Sequence, residues 1–149
     1  MGKVALSNEV LFGEVTRMLD EGLEVAMTPK GNSMLPFIHG GKDSVTLKRK
    51  GTYAVGDIVL ACFNGRYVLH RIIAIDGDKV TLMGDGNLQG CEKGRIDELC
   101  GTVVEIVNGK GRRRKPGKGR LWRRLLPVRR YILKIHRKWN KCFRPELIS

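Results

Sequence analysis

Three short segments of the chain each carry a side chain that acyl transfer requires. Ser33 lies in the run GNSMLP, His70 in VLHRI and Asp85 in MGDGN. A serine hydroxyl is a weak nucleophile until a neighbouring base accepts its proton, and that base works best when a third group orients it. A serine, a histidine and an aspartate in such segments therefore suggest a serine peptidase.

Each of these residues also has an ordinary structural interpretation. A serine beside glycine and proline is common in turns, and an aspartate in a glycine-rich turn usually bonds to its own backbone. A lone histidine on a strand is more often a buried residue satisfied by a backbone carbonyl than a catalyst. Only the combination of the three motifs favours catalysis.

The three motifs together resemble the catalytic core of the signal peptidase family, in the serine–histidine form found in archaea and the endoplasmic reticulum. The likeness covers residues 28–107 and consists of Ser-Met-x-Pro, a strand ending in His-Arg, and Gly-Asp-x-Asn. Bacterial signal peptidases and the related self-cleaving repressors carry a lysine where this chain has His70. The resemblance implies Ser33 as the nucleophile, His70 as the general base and Asp85 as the orienting acid, and it implies no cofactor.

The chain departs from this family just before the nucleophile. Relatives often have a hydroxyl residue two positions ahead of the catalytic serine, which helps to hold the oxyanion, whereas this chain has Gly31. The oxyanion is then left to backbone N–H groups near Ser33. The predicted substrate-binding and oxyanion residues are Gly31, Asn32 and Met34.

A second departure concerns the acid. Relatives of the histidine type tend to carry another acidic residue several positions after Gly-Asp, a region that Cys91 and Glu92 occupy here. The acid that orients His70 is therefore either Asp85 or another carboxylate.

The remaining pattern predicts a mainly β fold, a partly closed barrel or sheet, for which the resemblance implies the signal-peptidase type. One amphipathic helix begins after Ser7, which suits an N-cap, and ends before Gly22. Later apolar runs are separated by glycine-containing turns, as is typical of short strands. The predicted strands cover residues 23–29, 44–48, 57–63, 66–76, 79–83 and 99–107.

The dipeptide Asn64-Gly65 is the strongest local signal, because it supplies the two positive-φ residues of a two-residue hairpin. A hairpin there places Val59 opposite His70 and puts the imidazole among apolar neighbours. A neutral imidazole accepts a proton at physiological pH, whereas a lysine must first lose one.

Positive charge is concentrated at the C-terminal end of the chain. The formal net charge is +13, yet 16 of the 28 lysines and arginines lie between Lys110 and Arg144, leaving 12 basic and 14 acidic residues in 1–109. We predict a near-neutral peptidase domain over residues 1–109 and a basic extension over 110–149. The extension begins as a flexible linker and continues as a basic amphipathic helix from Pro127.

The basic helix is compatible with three kinds of partner. It would bind an anionic membrane surface, with Trp122 and Trp139 as interfacial anchors, dock its apolar stripe on the domain, or contact nucleic acid. Membrane binding is the favoured interpretation, and nucleic acid is the least favoured.

The cysteines and the N-terminal region predict a reduced, cytoplasmic setting. Cys62, Cys91, Cys100 and Cys142 form no Cys-x-x-Cys pair and no metal-ligand spacing with the histidines, so we expect neither disulfides nor a metal site. Residues 1–27 contain no long apolar run, so we expect neither a signal peptide nor a spanning helix there. The protein would be cytoplasmic or peripheral on the inner membrane surface.

Two classes of function remain. In the first, the protein is a serine endopeptidase that cleaves a precursor or signal-like peptide, bound extended along an edge strand at residues 23–29. In the second, a peptidase-like module regulates or binds a peptide without turnover. The two classes differ in whether a peptide is cleaved.

Overall fold

The computed structural model describes residues 8–31, 33–86 and 91–119, so the predicted N-cap Ser7 lies outside the described residues. The helix and the six strands predicted from the sequence are all present, with ends that differ by at most two residues. The elements are α1 Asn8–Asp20, β1 Val25–Met27, β2 Ser44–Lys48, β3 Ile58–Phe63, β4 Arg66–Asp76, β5 Lys79–Met83, β6 Glu92–Arg95, β7 Leu99–Val107 and β8 Arg113–Arg114.

The strands form one antiparallel sheet that curls into a half-barrel. Their order is β1-β2-β7-β3-β4-β5-β6, so β1 and β6 lie at its two ends, and β8 pairs with β7. Among the described pairings, residues 66–70 of β4 pair with β3 alone, because β5 joins β4 only from Arg71 onwards. The prediction of a mainly β, partly closed sheet with an N-terminal helix is confirmed.

The β3–β4 hairpin has the register that its Asn-Gly turn predicts. Asn64 and Gly65 have φ values of 53° and 75°, and Val59 lies opposite His70. Side chains alternate along a strand, so His70 and Ile72 share one face of β4. His70 is only 7% exposed, so its imidazole is buried.

Apolar side chains pack on both faces of the sheet. Leu19 of α1 packs on one face with Leu60 of β3 and further strand residues. Val59 and Ala61, the neighbours of Leu60 in the strand, belong to a second cluster on the other face. Two core layers follow from the alternation of side chains in β3.

Strand β6 has no strand-like sequence pattern. It reads EKGR, without alternating apolar residues, and it forms because it pairs with β5. Its Gly94 lies so close to Phe63 that an added Cβ would sit 2.3 Å from the ring. Any larger residue at position 94 would therefore have to displace the Phe63 ring.

Part of the segment predicted as a linker at the start of the basic extension is paired with the sheet. Residues 113–114 form β8 against β7, and the N–H group of Arg112 donates to Asn108 Oδ1 at 2.9 Å. Farther along, Gly117 O accepts a hydrogen bond of 2.6 Å from the buried side chain of Arg71. Residues 110–119 therefore pack on the sheet through polar contacts that their composition does not reveal.

The predicted basic amphipathic helix and Cys142 belong to residues 120–149, which lie outside the described residues. None of the helices in the described part of the chain combines the length and apolar character needed to span a membrane.

Candidate active site

Ser33 begins a turn that is anchored by buried apolar side chains. The N–H groups of Phe37 and Ile38 both donate to Met34 O at 3.0 Å, which closes the turn. Met34 and Leu35 are buried, whereas Ser33 is half-buried. The buried side chains of Met34 and Leu35 therefore fix the backbone that carries the Ser33 hydroxyl.

The backbone ahead of Ser33 passes very close to the following loop. Gly31 has a φ of 85°, a conformation that favours glycine. A Cβ at Gly40 would lie 1.8 Å from Gly31 O, so this position also requires glycine. Gly41 N–H donates to Pro29 O at 2.8 Å. These approaches fix the path of the chain into the Ser33 turn.

His70 contacts a carboxylate from the far end of the sheet. Its Nδ1 lies 3.0 Å from Glu92 Oε2, and Glu92 Oε1 accepts a hydrogen bond of 3.0 Å from Arg66. Strand pairing explains the contact, since Glu92 lies opposite Leu82 and Leu82 lies opposite Ile72, two residues from His70 on the same face. Folding of β5 and β6 therefore brings this acid to the histidine.

The carboxylate at Nδ1 assigns the tautomer of the ring. Where Glu92 is ionised it only accepts hydrogen bonds, so in a neutral imidazole this contact requires the proton on Nδ1 and leaves Nε2 as an acceptor. In this tautomer, Nε2 of His70 is the atom that would take a proton from a nucleophile.

Asp85, predicted to orient His70, lies against Arg71 in the structure. Arg71 Nε donates to Asp85 Oδ1 at 2.8 Å, and Arg71 Nη2 donates to Oδ2 at 2.7 Å. The two side chains are 1% and 2% exposed. The described contact at His70 Nδ1 instead comes from Glu92.

Further contacts satisfy the buried guanidinium of Arg71. Its Nη1 donates to Gly56 O at 2.8 Å and to Gly117 O at 2.6 Å, and its guanidinium carbon lies 5.2 Å from the centre of the Phe37 ring. Sequence reasoning assigned no role to Arg71, although it directly follows His70 in the His-Arg motif.

The Gly-Asp-Gly turn also contacts the turn of the candidate nucleophile. Gly86 N–H donates to Ser33 O at 2.7 Å. Asp85 therefore lies in a turn that holds the Ser33 backbone, while its carboxylate holds Arg71 on β4. The motif ties the element that carries the serine to the strand that carries the histidine.

Ser33 and His70 line the same cavity, which has a volume of about 260 Å³. Gly31 and Met34, predicted to bind substrate, line this cavity as well. Asn32 lies outside the described residues. Four of the predicted site residues are thus brought together at one place.

In the described part of the chain, no cluster of three or more histidine, cysteine, aspartate or glutamate side chains is placed to hold a metal ion. The chain matches no family model and no curated protein. The chemistry of the site must therefore follow from its own residues, a half-buried serine and a carboxylate-bound histidine at one cavity.

Proposed function

We propose that this protein is a serine endopeptidase in which Ser33 is the nucleophile, His70 the general base and Glu92 the acid that orients the imidazole. One observation carries the proposal: His70, with Nδ1 3.0 Å from Glu92, lines the same cavity as Ser33. An imidazole held in this way presents Nε2 as the acceptor for a hydroxyl proton.

In the proposed reaction, Ser33 Oγ attacks the carbonyl carbon of the scissile bond while His70 Nε2 accepts the hydroxyl proton. The imidazolium then gives this proton to the leaving amine, and an acyl-enzyme remains. Water attacks the ester by the same general-base route, which releases the new carboxyl terminus and restores Ser33. Glu92 stabilises the imidazolium that forms in both steps.

The oxyanion is proposed to lie against backbone N–H groups of the Ser33 turn, including that of Met34, with Gly31 beside it. Gly31 lines the cavity and has no side chain, so a substrate carbonyl can approach the backbone there. Loss of one donor of this type typically costs roughly 10²–10³ in rate.

Asp85 is proposed as a positioning residue. Its carboxylate neutralises the buried guanidinium of Arg71. The N–H group of the next residue, Gly86, donates a hydrogen bond to Ser33 O. The pair would therefore set the distance between the serine turn and strand β4, although Asp85 itself takes no part in proton transfer.

Two strand segments beside the cavity suit an extended peptide. β1 lies at one end of the sheet, and residues 66–70 of β4 have a strand partner on one side in the described pairings. Met27 of β1 and Tyr67 of β4 both line the cavity. A peptide added there as a strand would gain main-chain hydrogen bonds. These features support a signal-peptidase-like fold and a precursor or signal-like peptide as substrate.

The basic residues of 120–149 are proposed to hold the enzyme at the cytoplasmic face of an anionic membrane. Each lysine or arginine close to such a surface contributes about 1 kcal/mol of attraction. The enzyme would then bind its substrate at the membrane surface.

A mixture of synthetic peptides, incubated with the purified protein and followed by mass spectrometry, tests the proposal without knowledge of the natural substrate. We expect cleavage at defined bonds by the wild type and none by Ser33→Ala. Ser44→Ala, which removes a hydroxyl from β2, should retain cleavage. Surviving cleavage in Ser33→Ala would exclude Ser33 as the nucleophile, whereas peptide binding without cleavage would indicate a regulatory or peptide-binding module.

A further inference from the structure

We infer that the cavity beside Ser33 selects peptides by a bulky apolar side chain, aliphatic or aromatic, at or next to the bond that is cut. The inference rests on the proposed peptidase function and adds the class of substrate to it. It follows from the lining, the rigidity and the volume of the cavity.

The cavity is lined mainly by apolar side chains from α1, β1, β4 and the segment after Ser33. Among them are Leu11, Phe12, Met27, Ile38, Tyr67 and Leu69. Such walls gain free energy when apolar substrate surface displaces water, although Thr28, Lys30, Ser33 and His70 also line the cavity. An apolar substrate side chain therefore fits this lining.

An aromatic stack makes one wall of the cavity preformed. The rings of Phe12 on α1 and Tyr67 on β4 are stacked, with centroids 5.1 Å apart and 15° between their planes. Burial of Val15 and Leu19 fixes α1 on the sheet one and two turns farther along. A preformed wall binds a complementary side chain without first having to order itself.

The volume of the cavity favours a large side chain over a small one. The cavity measures about 260 Å³, whereas an apolar cavity of about 150 Å³ is already sufficient to bind benzene. An alanine methyl group would leave most of the apolar lining against water, while leucine or phenylalanine would cover it. A single methylene in such a pocket changes specificity by roughly 10-fold or more.

Matched peptides that differ only in Ala, Leu or Phe at each position around the scissile bond test the inference. At one position, we expect kcat/KM for the Leu or Phe peptide to exceed that for the Ala peptide by at least about 10-fold. Binding of the same labelled peptides to Ser33→Ala, measured by fluorescence anisotropy, should show the same preference without turnover.

The two assays separate failure of the inference from failure of the proposed function. Ser33-dependent cleavage with a preference for Ala, or with no preference, would overturn the inference about the pocket. The proposed peptidase function would still be supported. If no peptide is cleaved, the proposed function fails, and the binding series decides alone: tighter binding of the Leu and Phe peptides supports an apolar side-chain pocket, and equal binding contradicts it.

A variant that fills the cavity gives an independent check. Leu11→Trp should shift the preference from Leu towards Ala, because the larger ring occupies the space of the substrate side chain. Leu23→Trp is the matched control, since Leu23 is 46% exposed and lies outside the lining. An unchanged preference for Leu in a Leu11→Trp protein that keeps the wild-type circular dichroism would contradict the assignment of α1 as a wall of the pocket.

Discussion

At the residue scale, two carboxylates have different tasks. Glu92 contacts the histidine, with a side chain that is 25% exposed, whereas Asp85 is 2% exposed and neutralises a buried arginine. The resemblance seen in the sequence implied Asp85 as the acid that orients His70, with another carboxylate as the alternative. It did not reveal which acid reaches Nδ1, because this contact depends on the pairing of β5 with β6 and not on a local pattern.

Substitution of the two acids should separate their tasks. Glu92→Gln should lower kcat by about 10²- to 10⁴-fold with little change in KM, because the imidazolium loses its stabilising charge while the side-chain shape is kept. Steady-state kinetics on a cleaved peptide measures this. Glu105→Gln, on β7, is the matched control and should behave as wild type. A normal kcat in Glu92→Gln would remove Glu92 from the catalytic role.

Removal of one partner of the buried ion pair should reduce stability. Arg71→Met removes the guanidinium that neutralises the buried Asp85 carboxylate, so we expect the free energy of unfolding to fall by about 3–5 kcal/mol in urea titrations. The double variant Arg71→Met/Asp85→Leu should be more stable than Arg71→Met. Arg17→Met, at an exposed arginine paired with Glu14, should change the free energy of unfolding little. A similar small change in Arg71→Met would refute the structural importance of this pair.

At the element scale, local signals predicted those elements that are specified locally. Asn64-Gly65 sets the β3–β4 register because two adjacent residues adopt the required φ values. β6 escaped prediction because its strand conformation comes from its neighbour and not from its own sequence. β8 escaped for the same reason, since arginine and glycine in a basic run are typical of a linker. Buried polar contacts such as that of Gly117 with Arg71 leave no periodic signal.

Two truncations should distinguish the packed part of the basic extension from the rest. Removal of residues 110–149 deletes β8 and the Gly117 acceptor of Arg71, which should lower the free energy of unfolding by about 1–3 kcal/mol. Removal of 120–149 alone should change it by about 0.5 kcal/mol or less. Urea titration of both proteins measures the difference.

Either of two results would revise this interpretation. Equal stability of the two truncated proteins would show that residues 110–119 contribute nothing to the domain. A marked loss in the shorter truncation, 120–149, would favour docking of the predicted basic helix on the domain over membrane binding.

At the scale of the whole molecule, charge and chemistry are separated along the chain. The candidate catalytic residues lie within a near-neutral region, whereas 10 of the basic residues lie in 120–144 without any acid between them. Sequence composition predicts this division directly, because counting the acidic and basic residues along the chain is enough to find it. The partner of the basic part depends on surface geometry, which composition does not contain.

Vesicle binding should therefore depend on residues 120–149 and cleavage should not. The full-length chain should sediment with vesicles containing anionic lipid, and binding should weaken as salt rises, because the Debye length shortens to about 10 Å at 0.1 M salt. The chain truncated after Gly119 should bind weakly yet still cleave a short soluble peptide. Equal vesicle binding by both proteins would contradict the membrane assignment.

Kinetics of Ser33→Ala, His70→Ala and the double variant test the central claim most directly, because residues that act as one catalytic unit lose activity non-additively. The account predicts that each single variant lowers kcat for peptide cleavage by roughly 10³-fold or more. It also predicts that kcat of the double variant is about the same as that of the slower single variant. Losses that multiply in the double variant, or a kcat that survives in either single variant, would contradict a Ser33–His70 catalytic pair.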